Sequence, residues 1–456
     1  MTRFVLGSLF LNCQDQIYSE EYSDFIGNRS LIESKYALDC KQPLGAMFAS
    51  LYLKLSDGYE DGTVYGYYNI PKLFGLQDTG SMEASGILQV RENPDLKLDG
   101  SGVLIGFVDT GIDYAGSIFL KQDGTTRVIA IWDQTIPAES PIRLPELPTT
   151  LENITRTPEG FLYGSEFTHE QLNAAVKMED AYEGISSRDE NGHGTFLASI
   201  AAGNELPDGS FTGAAPKADI AMVKLKPAKN RLRAYYQIKE DAVAYQENDI
   251  MAGVLYLVSL AKKRQQPLVI CLGLGTNAGS HRGGLPLARM LEELGSSVGI
   301  TIVAGTGNET ARGHHFEGQI SSENGYEDVE IRVAEGENGF FLELWANAPE
   351  TYSVAIRSPN GEVIPRIYVR PGRIEVLNFA LAQTRVEVSY RLSVTGTGEF
   401  LALLRFINIT PGVWTVRVYN DLFITGHYHM WLPIESFLRQ DTVFLRPSEF
   451  ITLTSP

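Results

Sequence analysis

The spacing of four apolar runs most narrows what this chain can fold into. Gly102–Val108, Ile220–Leu225, Leu268–Leu272 and Ile300–Ala304 are short and mostly apolar, as strands buried on both faces of a sheet must be. Segments of helical period lie between them, at Gly194–Ala202, Asp241–Lys263 and Leu287–Ser297. Strand and helix alternating in this way predict an α/β fold, a parallel sheet with helices on both faces. The first 80 residues differ in texture. Ala46–Leu55 alternates like a strand, Gly58–Gly62 is a turn cluster, and Pro71 keeps Tyr65–Pro71 extended or at an edge.

After about residue 318 the helical period disappears. Val329, Ile331 and Val333 alternate with polar neighbours, as do Val386 and Val388, and then Trp414, Val416 and Val418. Asn338–Gly339 and Asn360–Gly361 are hairpin-turn signals. Strands separated by turns up to about residue 445 predict an inserted all-β sandwich or jelly roll. The chain therefore divides into an N-terminal segment (1–80), an α/β core (81–317), a β insertion (318–445) and a return to the core (446–456).

Composition excludes several classes. A chain with 43% hydrophobic residues and 42 Phe and Tyr side chains to pack is not disordered as a whole. With 38 Lys and Arg against 56 Asp and Glu, its net charge of −18 argues against nucleic acid as the main partner. No apolar stretch approaches the ~18–20 residues that span a bilayer. Phe4–Leu11 is followed by Asn12–Asp15 rather than a small-residue cleavage site, and reads as a first strand or helix rather than a signal peptide. Cys13, Cys40 and Cys271 are too few for a disulfide framework, so the fold is expected to stand on packing alone.

Three motifs carry chemistry. Asp109 ends the first buried run, at the carboxyl edge where ligands collect in open α/β sheets. His193, between Gly192 and Gly194, opens a helix with no bulk beside it, held close to neighbouring backbone. Asn308, in the glycine-rich turn after the last buried run, carries an amide able to donate to a developing oxyanion. Singly, each has an ordinary structural reading: a turn acid, a surface histidine, an asparagine tolerating a left-handed turn. In the order Asp, His, Asn, they are specific.

The stretches VLIGFVDTGIDY, NGHGTFLASIAAG, VAGTGNE and ICLGLG resemble the subtilisin-like serine peptidases. HGTFLA, KLKPAK, AYQENDIM and GLGTN are similar to the jelly-roll-containing clostridial branch, the Csp-type germination proteases. The resemblance implies that Asp109 orients His193, that His193 is the general base, and that Asn308 donates to the tetrahedral oxyanion. It implies that Gly273, Leu274 and Gly275 pair with a polypeptide substrate as an added strand. The N-terminal segment resembles a propeptide occupying that cleft, with an extension packed permanently on the core as the other reading. The compartment implied is spore or cell envelope.

Two departures matter. The family's serine sits in Gly-Thr-Ser after the oxyanion asparagine. None of the nine serines following Asn308 has that context, and the only Thr-Ser pair there is Thr454–Ser455. The expectation is a truncated chain, inactive as it stands; the rival is a catalytically silent homologue that binds or regulates other proteins. The second departure is that Tyr114–Phe119 lacks the acid through which many subtilisins hold calcium. Asn204, Glu205 and Asp208 are candidate oxygen ligands, read instead as a solvated loop.

No cofactor or metal is assigned. His427 and His429 share a face of a predicted strand, as metal ligands do, but no Cys or carboxylate stands at ligand spacing. His314–His315 reads as surface, and Cys271 as a small core residue. Trp345, Tyr352, Tyr390 and Trp414 would be the aromatics of a sugar-binding face, although period two assigns most of them to a core.

Overall fold

The structure, a computed structural model, describes residues 13–36, 40–54, 66–76, 98–144, 154–207, 211–322 and 325–448. The N-terminal part is a three-stranded antiparallel sheet of β1 (Tyr22–Asn28), β2 (Cys40–Leu44) and β3 (Phe48–Lys54), with β3 in the middle. Cys13 and Cys40 form a disulfide, so packing is not the only tie here. Ile26, Leu44, Phe48 and Tyr52 from this sheet share one apolar cluster with Met251, Val254 and Val258 of the long helix Glu247–Arg264. Inside the same contact lies a buried ion pair, Lys229 with Asp24.

The next strands are β4 (Leu73–Leu76), β5 (Leu104–Asp109), β6 (Val128–Asp133), β7 (Ser165–Thr168), β8 (Asp219–Lys224), β9 (Tyr245–Gln246), β10 (Leu268–Leu272), β11 (Leu274–Gly275) and β12 (Ile300–Ala304). Six of them make the central sheet, in the order β12-β10-β5-β8-β6-β7. Every pair in it is parallel except β6 with β7. All residues of β5 and β6 are buried, as their apolar character requires. Because β5 is flanked by β10 and β8, Asp109 emerges at the middle of the sheet's carboxyl edge.

Three expectations need correcting here. β12, the edge strand, is not buried on both faces: Thr301 and Val303 are alternate residues and share one exposed face. The predicted helix over Asp241–Lys263 begins only at Glu247, because Tyr245–Gln246 pairs with β4 as a strand. Tyr67–Asn69 is a 3₁₀ turn rather than extended chain, and the strand comes just after Pro71; Tyr65 lies outside the described residues.

Among the described residues, eleven antiparallel strands follow. One sheet has the order β13-β22-β15-β20-β19-β18: His315–Gln319, His427–Trp431, Gly339–Ala346, Phe400–Ile407, Thr384–Arg391 and Ile374–Phe379. The other is β17-β16-β21-β14-β23: Val363–Ile367, Thr351–Arg357, Gly412–Leu422, Tyr326–Val333 and Val443–Phe444. Val329, Ile331, Trp414 and Val416 of the second sheet pack on Leu342, Leu344, Val386 and Phe406 of the first in one apolar core. Asn360–Gly361 joins a true hairpin, β16 to β17. Asn338–Gly339 does not: β14 and β15 belong to different sheets, so that turn carries the chain from one layer to the other. The outer face of β15 and β20, with Phe341, Trp345, Leu401 and Leu403, packs on Tyr67, Ile70, Leu232 and Tyr235.

Candidate active site

Asp109 and His193, 84 residues apart, are in direct contact. Nδ1 of His193 lies 2.8 Å from Oδ1 of Asp109. The carboxylate is almost wholly buried and also accepts from the backbone N–H of Thr110 at 2.7 Å. Its main chain is fastened into the sheet, where Leu225 N donates to the Asp109 carbonyl. His193 opens the helix His193–Ala202, preceded by Gly192 in a left-handed conformation (φ 88°) that turns the chain into the helix. Gly194 is required by proximity. A Cβ there would lie 2.2 Å from the carbonyl oxygen of Gly111 and 3.1 Å from Cβ of Asp109.

Asp189, which the sequence reading passed over, ties the two motifs together. Its Oδ1 accepts from Thr110 Oγ1 (2.7 Å) and Gly192 N (2.9 Å). Its Oδ2 accepts from Thr195 N (2.9 Å) and Thr195 Oγ1 (2.7 Å). Thr110 Oγ1 in turn accepts from Gly194 N at 2.9 Å, and Thr195 Oγ1 from Asp113 N at 3.0 Å. Burial pushes the Asp189 carboxyl up, but the hydrogen bonds from Thr195, Thr110 and Gly192 outweigh it and hold it below the usual range. The available signal was an acid four positions before His193 with threonines in both motifs.

Gly273 stands beside the pair. A Cβ on it would come within 3.1 Å of Cε1 of His193 and 2.4 Å of a Leu197 methyl. Directly after it, β11 pairs antiparallel with β4, Leu274 opposite Leu76 and Gly275 opposite Gly75. On its other side β4 pairs with β9, Phe74 opposite Tyr245. The end of the N-terminal segment therefore runs as the middle strand between two pieces of the α/β region, one of them adjoining His193. The β region covers it: a Cβ on Gly75 would meet Ile434 at 2.5 Å. Tyr67 hydrogen-bonds to the buried Glu343, which also accepts from Trp345 Nε1 (2.8 Å) and Gly279 N (2.8 Å).

Asn308 lies in the turn after β12, on the same edge of the sheet, with an exposed side chain. Its neighbour Glu309 is buried and bonds His314 Nδ1 at 2.6 Å, Glu435 N at 3.1 Å and Asn277 Nδ2 at 3.5 Å. His314 and His315 are thus buried, not on the surface, because β13 is sandwiched against the rest of the chain at its start. Cys271, partly buried, has its thiol pushed up to about 12 by burial and by Asp109, so it is no substitute nucleophile.

The Asn204 amide donates to the carbonyls of Ser117 (3.2 Å) and Leu120 (2.6 Å), and Asp208 lies outside the described residues. Trp345, Tyr352, Tyr390 and Trp414 are all buried, which removes the sugar-binding face they were to form.

The chain was compared with known proteins for its family. The model of the subtilase family (peptidase S8) matches residues 100–337, just over half of the chain. The chain belongs to the subtilase family. This subtilase is 31% identical over 133 residues to the subtilisin-like protease SBT3.8 of Arabidopsis thaliana, covering 27% of the chain and 16% of that relative. The chain thus matches less than a fifth of the plant protein's length. Among solved structures it is similar to the Clostridium perfringens CspB protease, with a TM-score of 0.65 and 26% identity over 80% of this chain and 68% of that one. This subtilase has the subtilisin-like α/β fold, with additional antiparallel sheets.

Proposed function

We propose that this subtilase is a serine endopeptidase of the subtilisin type, cleaving polypeptides through an acyl-enzyme. The observation that carries the reading is the 2.8 Å contact of His193 with a buried Asp109 at the carboxyl edge of the sheet. A buried carboxylate on Nδ1 holds the imidazole in one orientation and stabilises its charged form, leaving Nε2 to take a proton from a nucleophile. Asn308 is the oxyanion donor, and Gly273, Leu274 and Gly275 are the strand that receives substrate. The pairing of Leu274–Gly275 with β4 supports that role, because a peptide strand already lies there. Residues 1–80 then act as a propeptide whose end occupies the cleft; residues 77–80 lie outside the described residues. The β region is read as a jelly roll inserted over about 318–445; of the return to the core expected in 446–456, residues 449–456 lie outside the described residues.

The nucleophile is the open component. Residues 309–456 hold no Gly-Thr-Ser, and the second reading is a silent homologue that binds polypeptides in the same cleft. Treating the product of the whole coding sequence with a serine-reactive phosphonate separates the two. Labelling that His193→Ala abolishes supports the peptidase. A folded product that stays unlabelled sinks the peptidase reading in favour of the binding one.

A further inference from the structure

The edge pair β13 and β22 assembles a group of side chains that the peptidase chemistry does not use. The two strands run antiparallel with Glu317 opposite His429, Gln319 opposite His427 and His315 opposite Trp431. Alternation then puts His315 and Glu317 of one strand on the same face as His427, His429 and Trp431 of the other. His427 Nε2 lies 2.6 Å from Glu317 Oε1, and His429 Nδ1 lies 3.0 Å from His315 Nε2. One ligand atom from each of Glu317, His427 and His429 falls within 4.8 Å of the others. We propose that Glu317, His427 and His429 form a binding site for a divalent transition-metal ion of the zinc class.

Two imidazoles and one carboxylate are the donors that such ions take, whereas calcium and magnesium prefer oxygen alone. Zinc bonds of about 2.0–2.2 Å in tetrahedral array set ligand atoms roughly 3.3 Å apart. The present span must therefore contract by roughly 1.5 Å. The Glu317 side chain can supply the movement, since it is about half exposed and long. The two imidazoles stand on alternate residues of a single strand, hydrogen-bonded on both sides to β13 and β15, and need move little.

His315 completes the arrangement from behind. In the tautomer in which Nδ1–H of His429 donates to Nε2 of His315, Nε2 of His429 carries the lone pair that a metal requires. His315 is itself buried and stacked on Trp431, ring centroids 3.9 Å apart, so its orientation is held by packing. His427 and His429 face a cavity of about 290 Å³, which leaves room for water in the fourth position. The one guanidinium lining it, Arg282, is paired with Glu399 at 3.3 Å. An ion here would clamp the edge strand β13 to β22.

The test is zinc titration of the full 456-residue polypeptide, stripped with chelator and followed by calorimetry, with cobalt absorption as a second readout. One zinc per chain is expected, together with cobalt d–d bands of tetrahedral intensity. Glu317→Gln and His429→Gln should each weaken zinc at least tenfold and remove the cobalt bands, with the circular dichroism spectrum unchanged. His315→Gln should weaken zinc about tenfold while keeping the stoichiometry. His169→Gln, in the α/β region, controls for loss of any histidine and should change nothing. No uptake at about 0.1 mM zinc would reduce the cluster to a hydrogen-bonded His–Glu pair and overturn the proposal. Undiminished binding in the Glu317→Gln, His429→Gln double variant would assign the ion elsewhere and overturn it equally.

Discussion

Replacing Gly194 with alanine sets two effects of opposite sign against each other. Alanine is the better helix former by about 0.8–1.0 kcal/mol in a helix interior, so propensity alone predicts a more stable protein. The structure predicts the reverse. The new Cβ would sit 2.2 Å from the Gly111 carbonyl oxygen, where a carbon–oxygen contact needs about 3.3 Å. The obstacle is backbone continuing from the central strand β5 and cannot rotate aside. The start of the helix must therefore retreat by about 1 Å. That movement stretches the His193–Asp109 contact (2.8 Å) and the Gly194–Thr110 contact (2.9 Å) beyond hydrogen-bonding distance. Losing a bond to a buried carboxylate costs about 1.5–3 kcal/mol and a neutral one about 1 kcal/mol. Set against the gain in propensity, Gly194→Ala should be destabilised by about 2–3 kcal/mol. Urea unfolding of the full chain should show this as a midpoint lowered by about 1 M. A midpoint equal to or above that of the parent would refute the close approach of helix and Asp109 loop, and with it the reason for a glycine after His193.

Asp189→Asn should cost about 2 kcal/mol at neutral pH, since two of four hydrogen bonds lose their acceptor and the rest lose their charge. The Asp189 carboxyl is held below its usual range, so its contribution is full above about pH 4, the unfolded value, and is lost as pH falls through the folded one. Unfolding at a series of pH values should show parent and variant converging toward acid; a constant gap would mean that the charge plays no part. The 456-residue polypeptide should neither turn over a peptide library nor react with a serine-directed phosphonate. In subtilisin, from which the figure is borrowed, loss of the serine costs about 10⁶ in kcat. Stoichiometric labelling of a serine between Ser321 and Ser455 would refute the site assignment. Residues 312–448 expressed alone should melt cooperatively with a β-type circular dichroism spectrum, because their two sheets share a core of their own; a molten product would place part of that core in the α/β region.

The parts of this subtilase legible from sequence are those in which one short stretch carries its own physical signature. The strands 104–109, 219–224, 268–272 and 300–304 announced themselves as apolar runs, and the helix at His193 by its glycines and following period. Asp109 and His193 were readable because each sits at the end of such an element, in a local pattern.

What only the tertiary structure decided depends on partners distant in the chain. Asp189 has no local signature beyond an acid four positions before His193 with threonines in both motifs; its four donors come together when the Asp109 loop and the His193 helix meet. Period two could not say whether the chain at Asn338–Gly339 folds back or changes sheets, since both need the same turn. It could not show that β12 is an edge with one face exposed, because that depends on which distant segments lie beside and over it. His427 and His429 lacked a carboxylate in sequence, and the one that joins them, Glu317, stands 110 positions earlier. Antiparallel register, which pairs residues by their distance from a common centre rather than along the chain, put it there.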